Sequence, residues 1–174
     1  MAWAAAALAA LTLLGVLALR SPDRQQSLVD YQAAGTMRHI ATERVRGIRL
    51  SAGPVSRSFQ RSVDGRWQVE DGAADAATAT AASASIEAGL RLLHNTPPER
   101  DFEAESPEFG LTPPALRVEL RTADGQRFEA AFGAANPMGL AHYVRIRSGG
   151  RTAVHLMPSY LAEAWAPALP GAAR

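Results

Sequence analysis

At 174 residues, the chain is long enough for one hydrophobic core once an apolar N-terminal stretch and a polar connector are set aside. Its net charge of +1 provides no basic field of the kind that binds nucleic acid by releasing phosphate counterions. The absence of cysteine removes thiol catalysis, thiolate metal sites, disulfides and a lipoprotein anchor, and because all 18 basic residues are arginine, no lysine is available for a Schiff base or a phosphate loop.

Residues 2–19 carry no charge, and at about 1.5 Å per residue they make a helix of about 27 Å, close to the thickness of a bilayer's hydrocarbon core. Residues 1–20 are therefore expected to be a transmembrane anchor or uncleaved signal. The competing reading is a cleaved secretory signal, with small residues around Val16-Leu17-Ala18. Arg20 and Arg24 follow the segment, which by charge alone argues for a cytoplasmic C-terminus. Residues 21–42 read as a polar connector with scattered apolar residues, among them Met37 and Ile40.

Residues 43–166 are expected to form a single α+β domain, and 167–174 a tail. Strand signals open it at Val45–Leu50, Val55–Ser62 and Arg66–Glu70. A three-residue loop at Val63-Asp64-Gly65 pairs Ser62 with Arg66, which sets Phe59 opposite Val69 and Arg61 opposite Trp67. Gly65 then takes the left-handed position such a loop needs. The same logic at Ala123-Asp124-Gly125 aligns Leu120 with Phe128, Val118 with Ala130 and Leu116 with Phe132. One face of that hairpin is apolar. The other carries Arg117, Glu119, Arg121, Arg127 and Glu129 and is expected to face water or a partner.

A third hairpin joins His142–Arg147 to Thr152–Met157 around Gly149-Gly150. Placing Val144 and Ile146 on one face with Val154 and Leu156 calls for an odd loop, although two glycines also suit a two-residue turn. Between the first hairpin and the rest, Ala79, Ala82, Ile86, Leu90 and Leu93 recur at helical spacing over 75–95, with Asp75 as N-cap and Pro97-Pro98 beyond the end. This helix is predicted to cover the sheet, with Glu87 paired to Arg91 on its bland outer face. A last helix, 159–166, puts Leu161 and Trp165 on one buried side.

Taken together, several of these residues resemble the domain-of-unknown-function family 4340 from about Val45 to Trp165. They are Trp67 after a hairpin, Ala74-Asp75 opening a helix, Glu108-Phe109-Gly110-Leu111-Thr112-Pro113, Asp124-Gly125, Gly133, Pro137-Met138-Gly139 and Tyr143-Val144. Phe109 stands where that family commonly has tyrosine. The resemblance implies an extracytoplasmic domain on an inner-membrane anchor, often encoded beside ABC transporters of the gliding-motility type, and it implies no activity. On physical grounds the motif serves folding: Gly110 and Pro113 shape a turn, and Leu111 plugs the core below it.

No metal spacing links His39, His94, His142 and His155, and the odd-loop register sends His142 and His155 to opposite faces. No nucleophile elbow or phosphate cradle is present. Glu99, Asp101, Glu103 and Glu105 alternate with other residues, so an extended segment would show four carboxylates on one face, most simply a solvated stripe. On the polar sheet face Arg117, Arg121, Arg145 and Arg147 with Tyr143 are the candidate recognition residues for an anionic group or a partner protein, against the simpler reading of a wet sheet face.

The expectation is a single-pass protein of the inner membrane with its domain in the periplasm. It is expected to have no enzymatic activity, no cofactor and no metal, and to be an accessory or interaction domain beside ABC-type transporter components or an envelope-assembly system. The alternative is an extracytoplasmic module that binds a small molecule or polysaccharide.

Overall fold

Strand β1 (Val45–Ala52) alternates Ile48 and Leu50 with Gly47, Arg49 and Ser51, and that period of two buries one face and leaves the other polar. The computed structural model of the chain describes residues 34–70 and 76–169. All fall in Ala33–Arg174, the second of two units into which the chain divides. β1 is followed by β2 (Val55–Arg61), β3 (Trp67–Val69) and helix α1 (Ala76–Asn95). Then come β4 (Arg100–Phe102), β5 (Leu116–Thr122), β6 (Arg127–Ala135), β7 (Ala141–Ser148), β8 (Arg151–Pro158) and the short helix α2 (Tyr160–Glu163). The strands form one eight-stranded sheet in the order β3-β2-β1-β5-β6-β7-β8-β4, antiparallel at every pairing.

The fold is thus α+β, a set of antiparallel hairpins carrying one main helix. The expected membrane helix over residues 2–19 lies outside the described residues, as do the expected cap Asp75 and residues 170–174. Among the described residues no helix is long and apolar enough to cross a membrane.

One face of the sheet makes the main core. Ile48, Leu50, Phe59, Trp67, Leu116, Val118, Leu120, Phe128 and Phe132 are buried in one cluster with Ile86, Leu90 and Leu93 of α1. Burying each such side chain contributes about 1.5–3 kcal/mol, which makes this face the main source of stability. Leu161 and Trp165 share that core as their spacing predicts. Met37 and Ile40, from the expected connector, and Ala168, from the expected tail, are buried in it too. The domain therefore extends past 43–166 at both ends.

The first two hairpins have the register read from parity: Phe59 faces Val69, Arg61 faces Trp67, and Leu116, Val118 and Leu120 face Phe132, Ala130 and Phe128. The third differs. Ser148 pairs with Arg151, which leaves a two-residue turn with Gly149 at φ 56° and Gly150 at φ 77°, the geometry of a turn whose two central residues are both left-handed. Val144 consequently sits opposite His155 and Ile146 opposite Ala153. Val154 and Leu156 point to the other face.

Two further expectations are corrected. Glu87 turns to β2 and β3, pairing with Arg61 and accepting a hydrogen bond from the Trp67 indole at 2.8 Å. Arg91 donates to the Glu87 backbone carbonyl rather than to its carboxylate. The four acids from Glu99 to Glu105 form no stripe, because only Arg100–Phe102 is strand; Asp101 then meets His155 and Glu105 meets Arg145.

Val154 has its own environment on the far face. The segment between β4 and β5 crosses this end of the sheet through a single helical turn, Pro107–Phe109, which ends at Gly110 with φ 61°. Phe109, Leu111 and Val154 form a second buried cluster with Phe102 and Tyr143 against them. The rings of Phe109 and Tyr143 stack with centroids 4.1 Å apart. Gly133 is what lets the segment lie so close, since a Cβ there would stand 2.1 Å from the Phe109 carbonyl oxygen. Leu111 does plug a core, but it is this small one.

Candidate functional site

The remainder of the far face is open and polar, and its side chains stand in rows set by the register. In one row Arg49, Glu119, Glu129 and Arg147 follow one another across β1, β5, β6 and β7. Two glutamates directly opposite each other repel, and here an arginine stands on each outer side. Glu129 is approached by Arg147 at 3.4 Å and by Arg117 at 3.9 Å. Arg49 donates to the Ser58 hydroxyl at 3.3 Å.

In the next row Arg121 of β5 lies directly opposite Arg127 of β6. Both are exposed, and among the described residues neither has a carboxylate partner within ion-pair distance. Gly47 of β1 adjoins Arg121, and a Cβ there would meet its guanidinium at 3.3 Å. A trough of about 710 Å³ lies over these rows, and on this face it has four arginines (Arg49, Arg121, Arg127, Arg147) and three glutamates (Glu70, Glu119, Glu129). Its electrostatic balance favours an anionic visitor.

The structure divides the residues singled out from sequence. Arg117, Arg121 and Arg147 stay on the open face. Tyr143 is stacked on Phe109, and Arg145 is only 7% exposed. The Arg145 guanidinium donates to both Glu105 oxygens, at 3.0 and 2.9 Å, and to the Leu111 carbonyl at 3.3 Å. It is a clamp on the crossing segment, and neither it nor Tyr143 belongs to the open part of the face. Arg49 and Arg127, absent from the residues singled out from sequence, line the trough. For Arg49 the signal was its alternation with Ile48 and Leu50, which sends it to the polar side.

The remaining motif residues are structural. Trp67 is buried in the core; Gly110, Gly125 and Gly139 occupy left-handed turn positions; and the Thr112–Pro113 peptide is cis. The β6–β7 turn is held by Asn136, whose side-chain oxygen accepts from the Leu140 amide at 3.0 Å.

The two-residue turn puts His142 and His155 on the same face of their hairpin, which reverses the odd-loop expectation. Each has its own partner: His142 donates to the Gly133 carbonyl at 3.1 Å, and His155 meets Asp101 at 2.7 Å. His39 and Ser148 approach to 2.8 Å, yet among the described residues no carboxylate orients the imidazole as a triad requires. No group of three or more potential metal ligands converges among the described residues.

The chain thus belongs to the α+β class with one helix-covered and one open sheet face. No family model, no curated protein and no solved structure matches it.

Proposed function

We propose that this chain is a membrane-tethered accessory domain that docks an acidic protein partner on its open sheet face. The observation that carries the reading is the opposed pair Arg121 and Arg127, exposed and without carboxylate partners among the described residues, in a trough where arginines outnumber glutamates four to three. Like charges on facing positions destabilise a bare sheet, and a partner carboxylate between them relieves that repulsion and gains charge-assisted hydrogen bonds.

The tether rests on the uncharged stretch 2–19, and the resemblance to family 4340 supports a periplasmic domain on the inner membrane. Anchoring raises the local concentration of a partner in the same membrane, so modest affinity suffices. A component of an ABC-type transport or envelope-assembly system fits that setting. On this reading the domain carries out no reaction of its own.

Purification of the full chain in mild detergent is expected to retain a partner, with retention falling as salt rises. Charge reversal at Arg121→Glu and Arg127→Glu is expected to weaken capture by at least about tenfold. Capture unchanged by both reversals and by salt would overturn the reading. The trough's volume also falls in the range of about 300–1,000 Å³ typical of small-molecule sites, which favours the second reading, a small-molecule or polysaccharide module. A ligand that raises the melting temperature while no partner is retained would select it.

A further inference from the structure

Arg117, Ala131 and Arg145 stand in one row across β5, β6 and β7. With neighbouring strands about 4.8 Å apart, the two arginines arise about 10 Å from each other with only a methyl group between them. Beside this row lies a second cavity, about 500 Å³, lined by Arg117, Arg145 and Arg147 together with Thr112, Pro113 and Pro114 of the crossing segment. No carboxylate is among its lining residues.

Two of the residues lining the cavity carry buried donors. The Nε–H groups of Arg117 and Arg145 are both sealed from solvent and, among the described residues, both lack a hydrogen-bond acceptor, although buried polar groups are otherwise almost always paired. Arg145 spends its terminal nitrogens on Glu105 and Leu111, which leaves Nε as its spare donor. Glu129 stands 3.9 Å from the Arg117 Nε, beyond hydrogen-bond length. Three guanidinium groups are therefore set against two carboxylates, Glu105 and Glu129, and one positive charge is in surplus.

We infer that this cavity is a binding site for a small oxyanion, a phosphate or carboxylate group held by Arg117 and Arg147 over the buried Arg145. An oxyanion supplies acceptor oxygens that an orphaned donor lacks and cancels the surplus charge. Water meets only the first demand. The planar guanidinium suits oxyanions better than it suits halides. The site adjoins the trough and shares Arg147 with it, but it does not depend on a protein partner.

The test is a titration of the isotope-labelled full chain, kept in mild detergent at constant ionic strength, with inorganic phosphate and separately with acetate; sodium chloride is the reference. Arginine Nε–H resonances are the readout. Saturable shifts of two such resonances are expected with at least one oxyanion. Saturation by phosphate alone assigns a phosphate ligand, and saturation by acetate as well assigns a carboxylate-type site. Arg117→Gln is expected to abolish the shift of the remaining Arg145 resonance. If that variant fails to fold, Arg147→Gln is expected to weaken binding several-fold. Shifts no larger than those with chloride would overturn the inference and leave the docking reading untouched.

Discussion

A methyl group at Gly89 would sit 2.5 Å from the buried Trp165 ring, and that distance decides between two opposed effects. Alanine is favoured over glycine in a helix by about 1 kcal/mol, whereas forcing an extra methyl into a packed core costs about 1–3 kcal/mol. Trp165 has no exposed surface, so the ring has nowhere to retreat and the clash prevails. Gly89→Ala is expected to lower stability by about 1–2 kcal/mol, read from the midpoint of a urea transition. An unchanged or higher midpoint would mean that the ring moves freely. Helical periodicity placed Leu90 and Leu93 correctly, but it carried no sign that Gly89 is the seat of an indole from α2's end of the chain. That contact joins residues far apart in sequence.

At the level of elements, the hairpins show what local rules can and cannot decide. The turns after β2 and β5 share a chemistry that their similar sequences announce: Ser62 donates to Asp64, and Thr122 donates to Asp124. Each hydroxyl holds its carboxyl below the usual carboxylate range, and nearby arginines, Arg66 for Asp64 and Arg44 for Asp124, reinforce it. A carboxyl whose folded pKa is depressed contributes stability that is complete above the unfolded value and is lost as pH falls through the folded one. Asp124→Asn is therefore expected to flatten the acid side of the stability profile relative to the parent. Melting temperatures recorded from neutral pH down to below the carboxylate range check this, and parallel curves would contradict it.

The third hairpin went the other way for a clear reason. Parity arguments assume that all apolar residues seek one core, and here Val154 had a second one available. The glycine pair favoured the shorter turn, and the crossing segment supplied the apolar cover on the far face. Glu87 likewise had a helical neighbour at the right spacing and chose a sheet arginine instead. A surface pair four residues apart is worth only about 0.3–0.5 kcal/mol, less than a bond to Arg61 that also satisfies the Trp67 indole.

On the scale of the whole molecule, the segment between β4 and β5 divides the far face into a covered end and an open trough. Its polar fastening is Glu105 on Arg145, 40 residues apart. Glu105→Ala leaves a buried guanidinium without its carboxylate, a loss of about 3–5 kcal/mol for a fully buried pair. Glu105 is 34% exposed, so a value near the lower end is expected. The loss is also expected to be local: amide exchange should accelerate in residues 103–115 while α1 and β5 keep their protection. Uniform acceleration across the sheet would show instead that the segment and the main core unfold as one.

Sequence alone determined the strand order within each of the first two hairpins, the helix and its buried stripe, and the polarity of the face on which a site would lie. These follow from side-chain period and loop parity, which act over a few residues and are enforced wherever one face must be buried. Tertiary structure alone decided which arginines remain on the surface. Arg145 and Arg147 are alternate residues of one strand on the same face, chemically equal as text. Only the path of a distant segment buries the first and leaves the second exposed.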